Sequence, residues 1–199
     1  FSKAIQLDPT YFEAIFQRGL TYLDNGEFYK AREDAEKLES LDPENWKSFF
    51  LAGLTEEKLK NFPAALSSFE KAIHLAPENS DLLVNKATIL FYQKEYAAAK
   101  ATLVSAEQLN PEEPNLYNLK SMIAFEEGNY SEALNSVNQA ISLDNRQAYF
   151  YNNKGLYQLF LGNLEEGLSL INQSIQMDPK NPYALRNKGI YYVLKGDKT

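Results

Sequence analysis

The chain has 199 residues, a formal net charge of −7, 44% hydrophobic residues, one His, one Trp and no Cys. That is enough apolar material for a core, while the acid excess argues against unspecific binding to nucleic acid or to an anionic membrane, since both need a basic face. Without Cys there are no disulfides, thiolate metal sites or thiol nucleophiles, and no apolar run approaches the ~18 residues that span a bilayer. Compartment stays open, because the chain starts at Phe1 without a basic-then-apolar leader and a signal sequence can be removed.

Prolines set the ruler for the elements. Pro9, Pro43, Pro77 and Pro111 stand 34 residues apart, and Pro179 lies two periods beyond Pro111. The skipped position is Asn145, in the phrase Leu143-Asp144-Asn145. The period predicts a single array: the end of a unit over 1–11, full units 12–45, 46–79, 80–113, 114–147 and 148–181, and the start of another unit over 182–199.

Each unit predicts two helices. In the first, the break falls at Asn25-Gly26, where a left-handed residue can end a helix. In the second, Trp46 to Leu59 carries apolar residues at helical spacing, a break follows at Lys60-Asn61-Phe62, and Ala64 to Leu75 resumes the period. Asn45, Asn79 and Asn181 occupy helix-capping positions, with Pro114 and Pro182 at first-turn positions. Later breaks fall at Gly128-Asn129 and Gly162-Asn163, and the Asp-Pro and Asn-Pro pairs end second helices, because the residue before Pro is disfavoured in the helical region.

Small residues recur where helices must approach closely. They are Gly19, Gly53, Ala87, Ser121, Gly155 and Gly189 in the first helices, and Ala31, Ala65, Ala99, Ala133 and Gly167 in the second. Large residues fill the layer between them, among them Phe69, Leu103, Val137 and Ile171, each worth about 1.5–3 kcal/mol when buried. In the first unit Ala35 and Leu38 reverse the large-then-small order, so its second helix is expected to pack differently.

This pattern resembles the tetratricopeptide repeat, a 34-residue helix-turn-helix with small residues at fixed places in both helices and a closing Pro. The resemblance covers the whole chain and implies an all-α fold, a right-handed α-α superhelix whose concave face is lined by the first helices. It implies an interior fragment of a longer array. The end faces around Phe1-Ala4-Ile5 and Ile190-Val193-Leu194 are then expected to associate end to end as an artefact of truncation.

In that family the first-helix side chains opposite the second helices face the groove. Carried over to this sequence, the groove candidates include Asn85, Asn153 and Asn187 in one register, with Asn118 and Asn152 one residue away. A carboxamide both donates and accepts, so a ladder of Asn resembles the ladders that hold an extended peptide backbone. The competing reading is that Asn is simply tolerated on a solvated helix face. Phe16, Phe50, Tyr92, Tyr149 and Tyr183 are the aromatic candidates for ligand pockets, although part of such a set packs as core between adjacent first helices. A cation register, Arg18, Lys86, Lys120, Lys154 and Lys188, either draws an acidic ligand or pairs with carboxylates on a neighbouring helix. The two-carboxylate clamp used on chaperone tails is not expected, since Phe16/Leu20 and Asn118/Met122 do not supply it.

Nothing in the sequence points to catalysis, a metal or a cofactor. His74 is the only His, no P-loop is present, and adjacent acids such as Glu126-Glu127 point about 100° apart on a helix. The leading expectation is a non-enzymatic scaffold that binds a protein or extended peptide in its concave groove, without nucleic acid or direct membrane insertion. Two alternatives stay open: a self-assembling structural bridge, and a substrate-recruiting arm of an enzyme whose catalytic domain lies outside this fragment.

Overall fold

The computed structural model describes residues 1–196. Among them are twelve α-helices and no strand: α1 Ser2–Leu7, α2 Phe12–Asp24, α3 Phe28–Leu41, α4 Trp46–Lys58, α5 Phe62–Leu75, α6 Ser80–Tyr92, α7 Tyr96–Leu109, α8 Pro114–Glu126, α9 Tyr130–Leu143, α10 Ala148–Phe160, α11 Leu164–Met177 and α12 Pro182–Lys195. The chain forms two compact units, Phe1–Leu109 with α1–α7, and the residues from Asn110 onward with α8–α12.

Local chemistry fixes the helix ends. Asn45, Asn79, Glu113 and Asn181 each accept a hydrogen bond from the backbone N–H two residues on, at 3.2, 3.1, 2.9 and 3.0 Å, and so start α4, α6, α8 and α12. Inside the hairpins, Gly26, Gly128 and Gly162 take left-handed backbone with φ of +76°, +81° and +88°. Lys60 and Lys94 adopt the same region at +60° and +63°, where an L side chain is strained. After five of the six second helices an Asp or Asn side chain closes the turn, and after α5 Ala76 stands at that position. Asp8 accepts from Thr10 N, Asp42 from Glu44 N, Asn110 from Glu112 N, Asp144 from Arg146 N and Asp178 from Lys180 N. Asp144 therefore keeps the turn even though Asn145 stands where the other units have Pro.

Within the first unit, each first helix packs on its own second helix, on the second helix before it and, for α2 and α4, on each other. Ala31, Ala65, Ala99, Phe69, Leu103 and Ala106 are fully buried. A Cβ added at Gly53 would lie 2.6 Å from the ring of Phe69, so the missing side chain is what admits that ring. Ala35 and Leu38 are both buried and share a cluster with Ile5, Phe16 and Leu51, which accommodates the reversed order of the first unit.

The second unit repeats the arrangement, with α10 against α8, α9, α11 and α12. Ala133, Val137, Ala140, Ile171 and Ser174 are fully buried. At Gly155 a Cβ would meet the carbonyl oxygen of Gly167 at 2.8 Å and Ile171 Cγ1 at 2.8 Å, so here two helix backbones are in contact. No helix is long and apolar enough to cross a membrane among the described residues.

Candidate functional site

The first helices of the second unit form a wall in two rows. In one row Tyr149 of α10 donates its hydroxyl to Asn115 Oδ1 of α8 at 2.6 Å, and Tyr183 occupies the same place one period on, 61% exposed. In the other row carboxamides pair. Asn153 Nδ2 donates to Asn118 Oδ1 at 2.9 Å, and Asn187 Nδ2 donates to Asn152 Oδ1 at 3.0 Å. Each bond spans 35 residues, so α10 and α12 each offer a carboxamide to the first helix before them. Asn187 Oδ1 also accepts from Arg186 Nη2 at 3.2 Å, and Arg186 lies over the ring of Tyr183.

Burial separates the five Asn of the candidate ladder. Asn118, Asn152 and Asn187 are buried, with Asn187 only 1% exposed, whereas Asn153 and Asn85 are half-buried. Asn85 Nδ2 donates to the carbonyl of Asp81, one turn back on its own helix, at 2.7 Å. Asn118 Oδ1, Asn152 Oδ1 and Asn187 Nδ2 are thus engaged between neighbouring first helices, and the row works as a polar seam.

The aromatic candidates also divide. Phe16 is buried beside Leu51 in the first core cluster. Phe50 is half-buried between Trp46 and Phe69, at ring distances of 5.8 and 6.3 Å. Tyr92 is 44% exposed and stacks on Phe62 at 5.4 Å. Tyr149 and Tyr183 are exposed. Tyr149 is 36% exposed, and the partial burial of its phenol, with Glu113 and Asp144 nearby, pushes its pKa up to about 12.

The matching positions of the first unit carry charge instead. Lys47 Nζ of α4 reaches Glu13 Oε2 of α2 at 2.7 Å, and Gln17 Nε2 donates to Glu13 Oε1 at 2.9 Å. These bonds, Lys47 first, hold the Glu13 carboxyl below its usual range. Beside this pair lies a recess of about 460 Å³ lined by Thr10, Tyr11, Phe12, Glu13, Leu41, Asp42, Asn45 and Lys47. Sequence reasoning passed over it. The available signal was Tyr11, which stands at a helix-capping position without making a side-chain cap.

In the cation register, Arg18 pairs with Asp34 and Lys86 with Glu70, both across to second helices. Among the described residues no three His, Cys, Asp or Glu come together as a metal site.

Comparison with known proteins follows the same lines. Tetratricopeptide repeat models match residues 16–80, 58–123, 114–147 and 148–181. No curated protein sequence matches the chain. Among solved structures, the APC/C hetero-tetramer Cut9-Hcn1 superposes with a TM-score of 0.90 at 17% identity over 98% of this chain. This chain spans only 39% of that one. TTC0263, a thermophilic TPR protein of Thermus thermophilus, gives 0.79 at 18% identity, over 92% of this chain and 98% of that one. YrrB gives 0.57 at 24% identity, over 95% and 97%. Taking the 34-residue period, the paired helices and the family matches together, the chain belongs to the tetratricopeptide repeat family.

Proposed function

We propose that the chain is a protein-interaction scaffold whose first-helix wall in the second unit binds an extended segment of a partner protein. The observation that carries this reading is the row Asn115–Tyr149–Tyr183, one residue per repeat, exposed along successive first helices. Its spacing suits a ligand that runs across the helices, with tyrosine rings giving apolar contact and hydroxyls fixing direction. Asn153 borders the row as a half-buried polar contact, while Asn118, Asn152 and Asn187 support the wall from behind. In the first unit Tyr92 is exposed and Asn85, in the register of Asn153, is half-buried, while Phe16 and Phe50 serve the core beneath. Support by analogy comes from YrrB, whose structure is described as that of a TPR protein with an unusual peptide-binding site.

The test is a peptide library selected on the wild-type protein, followed by titration of the selected peptides against Tyr149→Ala and Tyr183→Ala. Losing an aromatic anchor costs about 2 kcal/mol, so affinity should fall more than tenfold while the melting transition is nearly unchanged at exposed Tyr183. Unchanged affinity in both variants would remove this wall from binding.

A further inference from the structure

Asn-Gly occurs once in the sequence, at Asn25-Gly26 in the turn between α2 and α3. A Gly after Asn leaves the peptide nitrogen without a side chain to shield it, so this pair is chemically the most prone to close a ring on itself. Gly26 has φ of +76°, and a Cβ built there would meet nothing within 4 Å, so its surroundings are uncrowded. The matching turns at Gly128 and Gly162 place Glu127 and Leu161 before the glycine, and neither carries a carboxamide. The reaction needs only the chain and water. Gly26 N attacks Asn25 Cγ, the new N–Cγ bond forms, the Cγ–Nδ2 bond breaks, and ammonia leaves with the proton of the Gly26 N–H. Water then opens the cyclic imide at one of its two carbonyls, leaving an aspartyl or an isoaspartyl residue at position 25.

In the folded turn the reacting atoms are held out of line. Asn25 ends α2 with φ of −84° and ψ of −3°, a helical conformation. Ring closure needs the Gly26 nitrogen rotated to the Cβ side of Asn25, well away from that ψ. The same nitrogen donates to Leu23 O at 3.1 Å, Asn25 N donates to Thr21 O at 3.1 Å, and Glu27 N donates to Tyr22 O at 2.8 Å. Asn25 and Gly26 are both exposed, so freeing them breaks backbone bonds without uncovering buried surface of their own. Openings of that kind lie at the low end of the range of local unfolding free energies.

We propose that Asn25 is a site of spontaneous covalent modification of the native chain, entered through opening of the α2–α3 turn, and that the product weakens this turn. The new carboxylate stands at the C-terminal end of α2, where the helix dipole is negative. It also lies between Asp24 and Glu27, in a stretch, residues 12–45, that already carries a net −5. In the isoaspartyl form the main chain runs through the side-chain carbon. The added methylene shifts Gly26 N and Glu27 N out of register with Leu23 O and Tyr22 O.

The test incubates the whole chain in mildly alkaline buffer, folded and in urea, and maps its peptides by mass spectrometry with isoaspartyl methyltransferase labelling. Exchange of NH2 for OH is expected at Asn25 before any other Asn in both samples, about tenfold slower in the folded one. Denaturant below the unfolding midpoint should raise the native rate in step with amide exchange of Gly26. Asn25→Gln should stop the conversion and keep the turn, and Asn25→Asp should melt lower than wild type. Equal rates in the folded and unfolded samples would show that the turn gates nothing and would overturn the proposal. So would folded protein in which Asn25 converts no faster than the other Asn, or an Asn25→Asp variant as stable as wild type.

Discussion

Asn187 Nδ2 donates to Asn152 Oδ1 across 3.0 Å, and both side chains are buried where α12 meets α10. A buried carboxamide left without its partner costs about 1–3 kcal/mol, more than the bond itself contributes. Asn187→Ala is therefore expected to lower the stability of the second unit by that order, read as a lower urea midpoint and faster amide exchange in α10 and α12. Replacing both residues by Leu, which branches at the same atom as Asn, removes the unpaired groups together, so the double variant should lose less than the single substitutions sum to. Strict additivity would show that the pair is not coupled.

The same pair marks how far the sequence could be read. The 34-residue period, the capping residues and the small positions are local or repeated features, so they were legible; Gly26, Gly128 and Gly162 do take left-handed backbone. What a first-helix Asn does is not local. Asn153 and Asn187 share a register in the sequence, yet one is half-buried and the other buried, because each depends on the residue 35 positions back. Phe16 and Tyr149 likewise sit on equivalent helices with opposite exposure, since Leu51 packs beside Phe16 whereas Asn115 meets Tyr149 through its hydroxyl. Pairing between neighbours, not residue type, decided which candidates reach the surface.

Gly155→Ala should destabilise the second unit even though Ala favours helix by about 1 kcal/mol. The added methyl would meet the Gly167 carbonyl at 2.8 Å, and backbone cannot swing aside. Forced separation of α10 and α11 is expected to cost about 1–3 kcal/mol net, measured by chemical denaturation. Gly19→Ala is the control, because its close neighbour is the side-chain end of Leu51, which can rotate. An equal loss at both sites would contradict this account.

Lys94 is the non-glycine counterpart of Gly128 and Gly162, with φ of +63° between α6 and α7. Relief of left-handed strain is worth about 1–2 kcal/mol and the extra freedom of Gly in the unfolded chain returns part of it. Lys94→Gly should accordingly raise stability by about 0.5–1 kcal/mol, with Lys94→Ala giving no comparable gain. Thermal melts of the three proteins side by side decide it.

Glu57, near the end of α4, has a side chain only 13% exposed, with Lys58 Nζ 4.0 Å away. Burial raises its pKa above the ordinary carboxyl range, and Lys58 opposes that rise only in part. The sign of the pH effect follows from linkage: between the unfolded and folded pKa values the native chain binds the proton more tightly, so stability falls as pH rises through that window. The cost of the buried charge builds up through that window, and below the unfolded pKa it is absent. Glu57→Gln keeps the shape and removes the charge, so it should raise the melting temperature at pH 7 and leave it nearly unchanged at pH 4. A variant that melts lower at pH 7 would show that the Lys58 contact outweighs desolvation.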